Sequence, residues 1–355
     1  MEVDLSPKFA KKTNGGNGGY FSTWSPSELP MLGKGNIAAV KLSLLNNGFV
    51  LPHYADSSKV GYVLQGSGVA GIILPESEEK VIAIKKGDAL ALPFGTVIWF
   101  YNKEDTELEV IFLGDTSKAH KSGEITAFNL AGTNAIFTGF SSEFLARAFD
   151  LDEDFVTALI QNQPGHEIIK LEENFKLPEP NNEHRRGIAL SCDEVPLYVD
   201  VKNGGRLVVL NTKNFPILGE IGLGADLVTL EGNAMFSPGF SCDSALRVTY
   251  IVRGSGRVQV VGADGRKVLE TDLNAGCLFI VPRFFIVSKI ANPEGMEWLS
   301  VITTPDPVFS HLAGRTSVLM ALSPQVLQAS FNVDSDVIRR IRFGTSDAIF
   351  FPSRN

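Results

Sequence analysis

The sequence has little that would place it in a membrane or outside the cell. Three cysteines in 355 residues are too few for a disulfide framework. No run approaches the roughly 18 apolar residues of a membrane-spanning helix, and the most apolar stretch, LFIVPRFFIV (278–287), contains Pro282 and Arg283. Residues 1–20 hold no apolar core of a secretory signal peptide. We therefore predict a cytoplasmic protein with reduced thiols that does not bind membranes.

Positive charge is also scarce. The chain has 32 Lys and Arg residues against 40 Asp and Glu, a net charge of -8. Proteins that bind nucleic acids need a basic surface to neutralise phosphates, so nucleic acid is not a predicted partner. A hydrophobic content of 44% with 20% charged residues is typical of a folded globular chain, and the length is sufficient for two domains.

What the chain does contain is a long internal repeat. The stretch GYVLQGSG (61–68) is matched by TYIVRGSG (249–256), and KKGDALALPFG (85–95) is matched by NAGCLFIVPRF (274–284). The second pair has a turn glycine, an alternating strand and a Pro-containing corner, and short strands with such Gly and Pro corners are joined by tight turns. ELEVIFLGDT (107–116) and EWLSVITTPD (297–306) continue the parallel.

After these strands the pattern changes to helical spacing in both halves. Residues 141–160 correspond to residues 323–342, with Phe149 and Phe331 in step. Ser323 followed by Pro324 is a typical helix start. An aspartate precedes the second helix of each pair, Asp152 in the first half and Asp334 in the second. The pattern in each half therefore predicts several short strands followed by two short helices.

These patterns predict an all-β fold made of two jelly-roll β-barrels, each followed by a short helical extension. Closed barrels remove exposed sheet edges, which suits many short strands with Gly and Pro corners. We predict an N-terminal barrel with its extension over residues 1–170, a linker rich in Pro, Asn and charge over 171–205, and a C-terminal barrel with its extension over 206–355.

With this organisation the sequence resembles the bicupins, specifically the legumin-type (11S) seed storage globulins and glutelin-like proteins of plants. The strongest stretch is GMEWLSVITTPDPVFSHLAGRTSVLMALSPQVLQASFNV (295–333), which is similar to the end of the basic chain of those globulins. LPHYADS (51–57) and RVQVVGADG (257–265) also fit. The resemblance implies a nutrient-reservoir protein and leaves enzymatic activity as an open alternative.

The resemblance also locates the positions at which enzymatic cupins bind a metal, through a His-x-His pair, a glutamate and a further histidine. The first barrel retains one of the four ligands; its positions are His53, Ala55, Lys59 and Ile98. The second barrel retains none; its positions are Gly239, Ser241, Arg247 and Val287. One histidine does not hold a catalytic first-row metal, so we expect no metal site and no cofactor.

Polar and aromatic residues nevertheless suggest a ligand pocket in each barrel. The candidates are His53, Tyr54, Lys59, Tyr62, Trp99 and Tyr101 in the first barrel and Ser241, Arg247 and Tyr250 in the second. Three interpretations stay open for the first barrel: ordinary core, a small-molecule pocket, or a metal-free acid/base pair built on His53 and Tyr62, as in an isomerase or cyclase. An inward Arg247 would need Asp243, or an anionic ligand, as its partner.

The family resemblance implies self-association. In legumin-type globulins the helical pair of one subunit packs on the barrel of the next and closes a trimer. The apolar helix residues here have no obvious partner within a compact barrel; they are Phe155, Leu159, Val326, Leu327 and Ile338. We therefore predict a homotrimer, in which the main partner of the chain is another copy of itself.

Overall fold

The computed structural model describes residues 4–132, 134–344 and 347–353 and confirms the predicted all-β fold class with two barrels. The strands are β1 (Lys8–Phe9), β2 (Lys11–Gly16), β3 (Gly19–Thr23), β4 (Ile37–Leu44), β5 (Gly48–Ala55), β6 (Ser58–Gln65), β7 (Ser67–Ile73), β8 (Lys80–Lys85), β9 (Asp88–Leu92), β10 (Val97–Asn102), β11 (Leu108–Asp115), β12 (Ala127–Asn129), β13 (Ile168–Lys170), β14 (Ala189–Ser191), β15 (Val199–Val201), β16 (Gly205–Leu210), β17 (Gly224–Leu230), β18 (Met235–Ser241), β19 (Arg247–Val261), β20 (Lys267–Asn274), β21 (Cys277–Val281), β22 (Ile286–Ile302), β23 (Phe309–His311) and β24 (Phe350–Phe351). The α-helices are α1 (Met31–Gly35), α2 (Ser142–Phe149), α3 (Glu153–Gln161), α4 (Leu218–Ile221), α5 (Val318–Ala321), α6 (Pro324–Phe331) and α7 (Ser335–Phe343), and short 3-10 helices lie at Ile136–Gly139, Asn182–Arg185 and Cys192–Glu194.

The chain folds into two compact units. The N-terminal unit contains residues 10–25 and 32–192, and the C-terminal unit contains residues 193–355 with the short segments 1–9 and 26–31, as far as these are described. The division in mid-chain therefore falls between Cys192 and Asp193, inside the segment predicted as a linker (171–205). That segment carries strands β14 and β15, which pair with β9 and β16 of their respective units.

The N-terminal unit is built from two antiparallel sheets. One has the strand order β14-β9-β6-β11-β4-β3-β2; the other has the order β12-β5-β10-β7-β8, with β13 also beside β5. Both sheets contribute to one core: Leu42 and Val110 come from the first sheet, and Ile72 and Phe100 from the second. Alternate side chains face this core because successive residues of a strand point to opposite faces.

In the C-terminal unit the main path of strands is β1-β21-β19-β22-β17-β16-β15, with β18 beside β22 and β20 beside β19. Strand β19 pairs with β22 from Arg247 opposite Ile302 to Val261 opposite Ile286. In the N-terminal unit the same pairing is made by two separate strand pairs, β6 with β11 and β7 with β10. The C-terminal core includes Trp298, Phe236 and Phe350.

The repeated Gly-Ser-Gly stretch is a corner that requires glycine. Gly66 and Gly254 both have left-handed backbones, with φ of 76° and 71°. A Cβ atom at Gly66 would lie 2.5 Å from the carbonyl oxygen of Glu107, and one at Gly254 would lie 2.0 Å from that of Gly295. Glycine is therefore required at this corner both for its conformation and for the close approach of the neighbouring strand.

The predicted helix pairs are present at the end of each barrel. Asp334 caps α7 by accepting hydrogen bonds from the backbone N–H groups of Asp336 and Val337, at 3.0 and 2.9 Å. The prediction that Leu327 and Ile338 lack a partner is wrong, because both are buried within the chain. No helix among the described residues is long and apolar enough to cross a membrane.

Candidate functional site

A cavity of about 450 Å³ opens into the core of the N-terminal barrel. His53 from β5 and Lys59 from β6 line it together with apolar side chains, among them Val40, Ile98 and Phe112. His53 and Lys59 were both predicted as pocket residues, and the structure brings them to one cavity. The lining also includes other charged side chains, among them Lys121, Glu124 and Glu167. Apolar walls with a few polar groups are typical of a small-molecule site.

His53 is held as a neutral imidazole. Its Nδ1 lies 3.0 Å from the carbonyl oxygen of Leu51, and because a carbonyl only accepts, Nδ1 must carry the proton. Burial, with the nearby charge of Lys59, lowers the pKa of His53 to about 4. The second ring nitrogen, Nε2, therefore keeps its lone pair at neutral pH and can accept a proton or a hydrogen bond.

Lys59 lines the same cavity. Its side chain is only 7% exposed, and no described residue accepts a hydrogen bond from its amine. Burial lowers its pKa to about 8, against the opposing effect of the Asp56 carboxylate. Lys59 is therefore charged at neutral pH but close to the pH at which it loses its proton.

The structure corrects the rest of the predicted N-terminal pocket. Tyr62 points to the face of β6 opposite Lys59, because the two lie three positions apart along the strand and successive side chains alternate between faces. Trp99 and Tyr101 pack in a separate cluster and are hydrogen-bonded there, Trp99 to Glu79 and Tyr101 to Asn47. Tyr54 stacks on Phe128 with ring centroids 4.9 Å apart and does not line the cavity. The His53–Tyr62 acid/base pair is therefore not formed.

The C-terminal barrel contains a larger cavity, of about 850 Å³. Arg247 lines it, as predicted for a pocket residue, and is paired with Asp226 of β17, which lies on the other side of β22. Asp243, the partner suggested by the sequence, instead accepts hydrogen bonds from the backbone N–H groups of Ala245 and Val308. Burial lowers the pKa of Arg247 to about 9, so its guanidinium stays charged at neutral pH.

The other two predicted residues of this barrel lie elsewhere. Tyr250 is buried on the face of β19 opposite Arg247. Ser241 is buried in β18 opposite Phe309 of β23, and the described cavity lining does not include it. In their place the cavity is lined by polar residues that the motif comparison missed: Asp226, Lys289 and His311.

A simple signal in the sequence could have found two of these residues. Lys289 lies between Val287 and Ala291 at a spacing of two, and both neighbours belong to the barrel core. Asp226 precedes Val228 and Leu230 at the same spacing. A charged residue in the inward register of a strand is therefore the pattern to search for.

Neither barrel fits a metal ion at the family positions. The position that bears the glutamate ligand in enzymatic cupins holds Lys59 in one barrel and Arg247 in the other, and each is a cation that would repel a metal. Within the described part of the chain, no group of three or more His, Cys, Asp or Glu side chains is close enough to bind one. The interiors are therefore suited to polar organic contacts, not to metal coordination.

Comparison with known proteins agrees with this architecture. The Cupin family matches the chain twice, over residues 7–157 and 195–339. The chain is 28% identical to Glutelin type-D 1 of Oryza sativa subsp. japonica, over 85% of this chain and 77% of the glutelin. It is 27% identical to the 11S globulin seed storage protein Ana o 2.0101 of Anacardium occidentale, over 92% of this chain and 86% of that protein.

The solved structures point to the same group. The chain superposes on procruciferin, the 11S globulin of Brassica napus, with a TM-score of 0.92 and 26% identity, covering 100% of this chain and 98% of procruciferin. The double family match shows two cupin domains in one chain. The chain therefore belongs to the cupin family and is a bicupin of the legumin (11S globulin) type.

Proposed function

We propose that this protein is a nutrient-reservoir protein of plants, a legumin-like bicupin without a catalytic metal. The observation that carries the proposal is the similarity to a seed storage globulin along 92% of the chain. Buried cations at the glutamate position of both barrels support the absence of metal-dependent catalysis. The cytoplasmic location stays a prediction.

The reservoir role is tested by the abundance of the protein during seed development. We expect it to accumulate as the seed matures and to be degraded on germination, because a reservoir is consumed when growth resumes. Quantitative mass spectrometry of seed extracts, with leaf tissue as the control, measures both changes. A low and constant amount in all tissues would contradict the reservoir role.

We further propose that the chain assembles as a homotrimer through its helical extensions. Phe144 and Phe155, on α2 and α3, are 67% and 64% exposed, and Val326 and Ile341, on α6 and α7, are also exposed. Large apolar side chains exposed on adjacent helices are typical of an interface. A heterologous contact between a helix pair and a neighbouring barrel closes into a ring.

Native mass spectrometry tests the assembly directly. The wild-type chain of 38.5 kDa should appear at three times its mass. Phe155→Asp places a charge in the proposed interface and should shift the population to monomer. Phe175→Asp changes a phenylalanine outside the helices that is 55% exposed and should leave the trimer intact. A monomeric wild type, or equal effects of the two substitutions, would contradict the helical interface.

The N-terminal cavity supports a second candidate function, small-molecule binding or metal-free acid/base chemistry. It contains a neutral histidine with a free Nε2 lone pair and a lysine whose pKa is about 8, His53 and Lys59. A base and a readily deprotonated amine in one cavity could move a proton on a bound substrate.

Native mass spectrometry of the purified protein, before and after denaturing release, would reveal a stoichiometric ligand. Its loss from His53→Ala but not from Tyr62→Phe would support this function; no ligand, or equal loss from both, would contradict it.

A further inference from the structure

The interior of the C-terminal barrel contains a buried lysine that the reservoir role does not use. Lys289 is 1% exposed and lines the 850 Å³ cavity. No described residue accepts a hydrogen bond from its amine. It is surrounded by the rings of Trp298, Phe236 and Phe279, with its Nζ 4.3, 5.5 and 5.5 Å from the ring centroids.

Three further polar groups in this cavity have an unused hydrogen-bonding atom. Among the described residues no partner is present for Nε of Arg247, Oδ1 of Asp226 or Nδ1 of His311, although all three atoms are buried. Buried polar atoms without partners are uncommon in folded proteins, because each costs the free energy of its lost hydration. Four such groups around one cavity indicate that something polar completes them.

The charges identify the sign of that group. Arg247 is neutralised by Asp226, and His311 is held neutral because burial lowers its pKa to about 4. Lys289 is left without a counter-charge, and burial together with the charge of Arg247 lowers its pKa well below its usual value. An anion beside Lys289 would supply the missing counter-charge and would raise the lowered pKa of its amine. The cavity lining also includes two acidic and two basic residues, whose charges balance each other: Asp200, Asp347, Lys202 and Arg315.

The walls identify the body of that anion. Phe236, Trp298 and Phe309 form one continuous aromatic group, with neighbouring centroids 5.6 and 6.0 Å apart, and the guanidinium of Arg247 lies 4.5 Å from the centroid of Phe309. A cavity of this volume is far larger than an inorganic ion and lies in the range of organic ligands. We propose that the C-terminal barrel binds a small organic acid, whose carboxylate accepts hydrogen bonds from Lys289 and Arg247 and whose apolar body packs on these rings.

This inference goes beyond the reservoir role and does not depend on it. Isothermal titration calorimetry of the full chain with benzoate tests it, with benzamide as a probe of the same shape but without the charge. We expect one benzoate per chain and at least about tenfold weaker binding of benzamide. Lys289→Met, which keeps the length and packing of the side chain, should weaken benzoate binding about 10- to 100-fold, as expected for a hydrogen bond to a charged group.

Two controls locate the site. Lys267→Met removes an exposed lysine of the same barrel and should leave benzoate affinity unchanged. Titration in two buffers of different ionisation enthalpy should show proton uptake that is absent in Lys289→Met, because an anion raises the pKa of the lysine it contacts. Failure of benzoate to bind, equal affinity of Lys289→Met, or loss of binding in Lys59→Met instead would overturn the proposal.

Discussion

The two barrels share one strand plan but differ in what they enclose. Lys289 pairs with Val258 in the C-terminal barrel as Phe100 pairs with Ala70 in the N-terminal barrel. Asp226 pairs with Ser300 as Val40 pairs with Phe112. At these matching positions the N-terminal interior is apolar and the C-terminal interior is charged.

The difference shows how a cupin barrel tolerates charge. In both barrels a cation, Lys59 or Arg247, occupies the position of the missing glutamate ligand. In the C-terminal barrel Asp226 neutralises that cation, and a further lysine can then be accommodated among three aromatic rings. In the N-terminal barrel Asp56 is the nearby carboxylate and only opposes the effect of burial. The two barrels therefore differ in whether another strand of the barrel supplies a carboxylate that pairs with this buried cation.

The largest effect should come from breaking this pair. Asp226→Ala leaves the Arg247 guanidinium as an uncompensated buried cation, and we expect a loss of about 3–5 kcal/mol in the free energy of unfolding. Val40→Ala, at the matching position of the N-terminal barrel, removes only buried methyl groups and should cost about 1–2 kcal/mol. Urea denaturation with calorimetry measures both. Equal losses would show that the two interiors do not differ in this way.

A second comparison uses pH. The pKa of Lys59 is about 8 in the folded chain against 10.5 for an unperturbed lysine, so the unfolded chain binds more protons between these values. Stability therefore rises with pH across this window, and the cost, roughly 3 kcal/mol, is fully present below pH 8. Lys59→Met should raise the thermal midpoint at pH 7 and flatten its pH dependence from about 8 to 10.

Lys289→Met should act in the same direction over a window that begins at lower pH, because the pKa of Lys289 is lowered further. Thermal midpoints of both variants and the wild type, measured from pH 6 to pH 10, distinguish the two windows. The difference between the barrels would be contradicted if the thermal midpoints of the two variants had the same pH dependence. It would also be contradicted if either variant kept the pH dependence of the wild type.

The smallest effect concerns the helix caps that end each half. Asp334 accepts two backbone hydrogen bonds at the start of α7, whereas Asp152 makes no side-chain hydrogen bond at the start of α3. Asp334→Ala should therefore cost about 1 kcal/mol of stability, and Asp152→Ala a few tenths. Differential scanning calorimetry of the two variants tests this order. A larger loss from Asp152→Ala would reverse it.

Much of the fold could be predicted because the repeat is carried by local signals. The short apolar runs of GYVLQGSG and TYIVRGSG that end at a Gly-Ser-Gly turn predict strands, and the first glycine of that turn has the left-handed backbone that the corner needs, at Gly66 and Gly254. The cap residues Ser323 and Asp334 predict the starts of α6 and α7 correctly, because a capping hydrogen bond spans only two or three residues. These features require no knowledge of distant parts of the chain.

The pockets could be predicted only in part. His53, Lys59 and Arg247 were found because they occupy positions defined by a family motif. Tyr62 and Tyr250 were misplaced because residue type was considered without the strand register, and a shift of one residue moves a side chain to the other face.

The sequence by itself determined that there are two barrels, where the turns and helix starts lie, and that the metal ligands of enzymatic cupins are missing. Only the tertiary structure decided which carboxylate neutralises Arg247, because Asp226 and Arg247 are distant in the chain and meet through strand pairing with β22. It also decided that Lys289 faces a cavity without a counter-charge. The physical reason is that a local pattern specifies the face on which a side chain lies, while its partner across the barrel depends on how the strands pair.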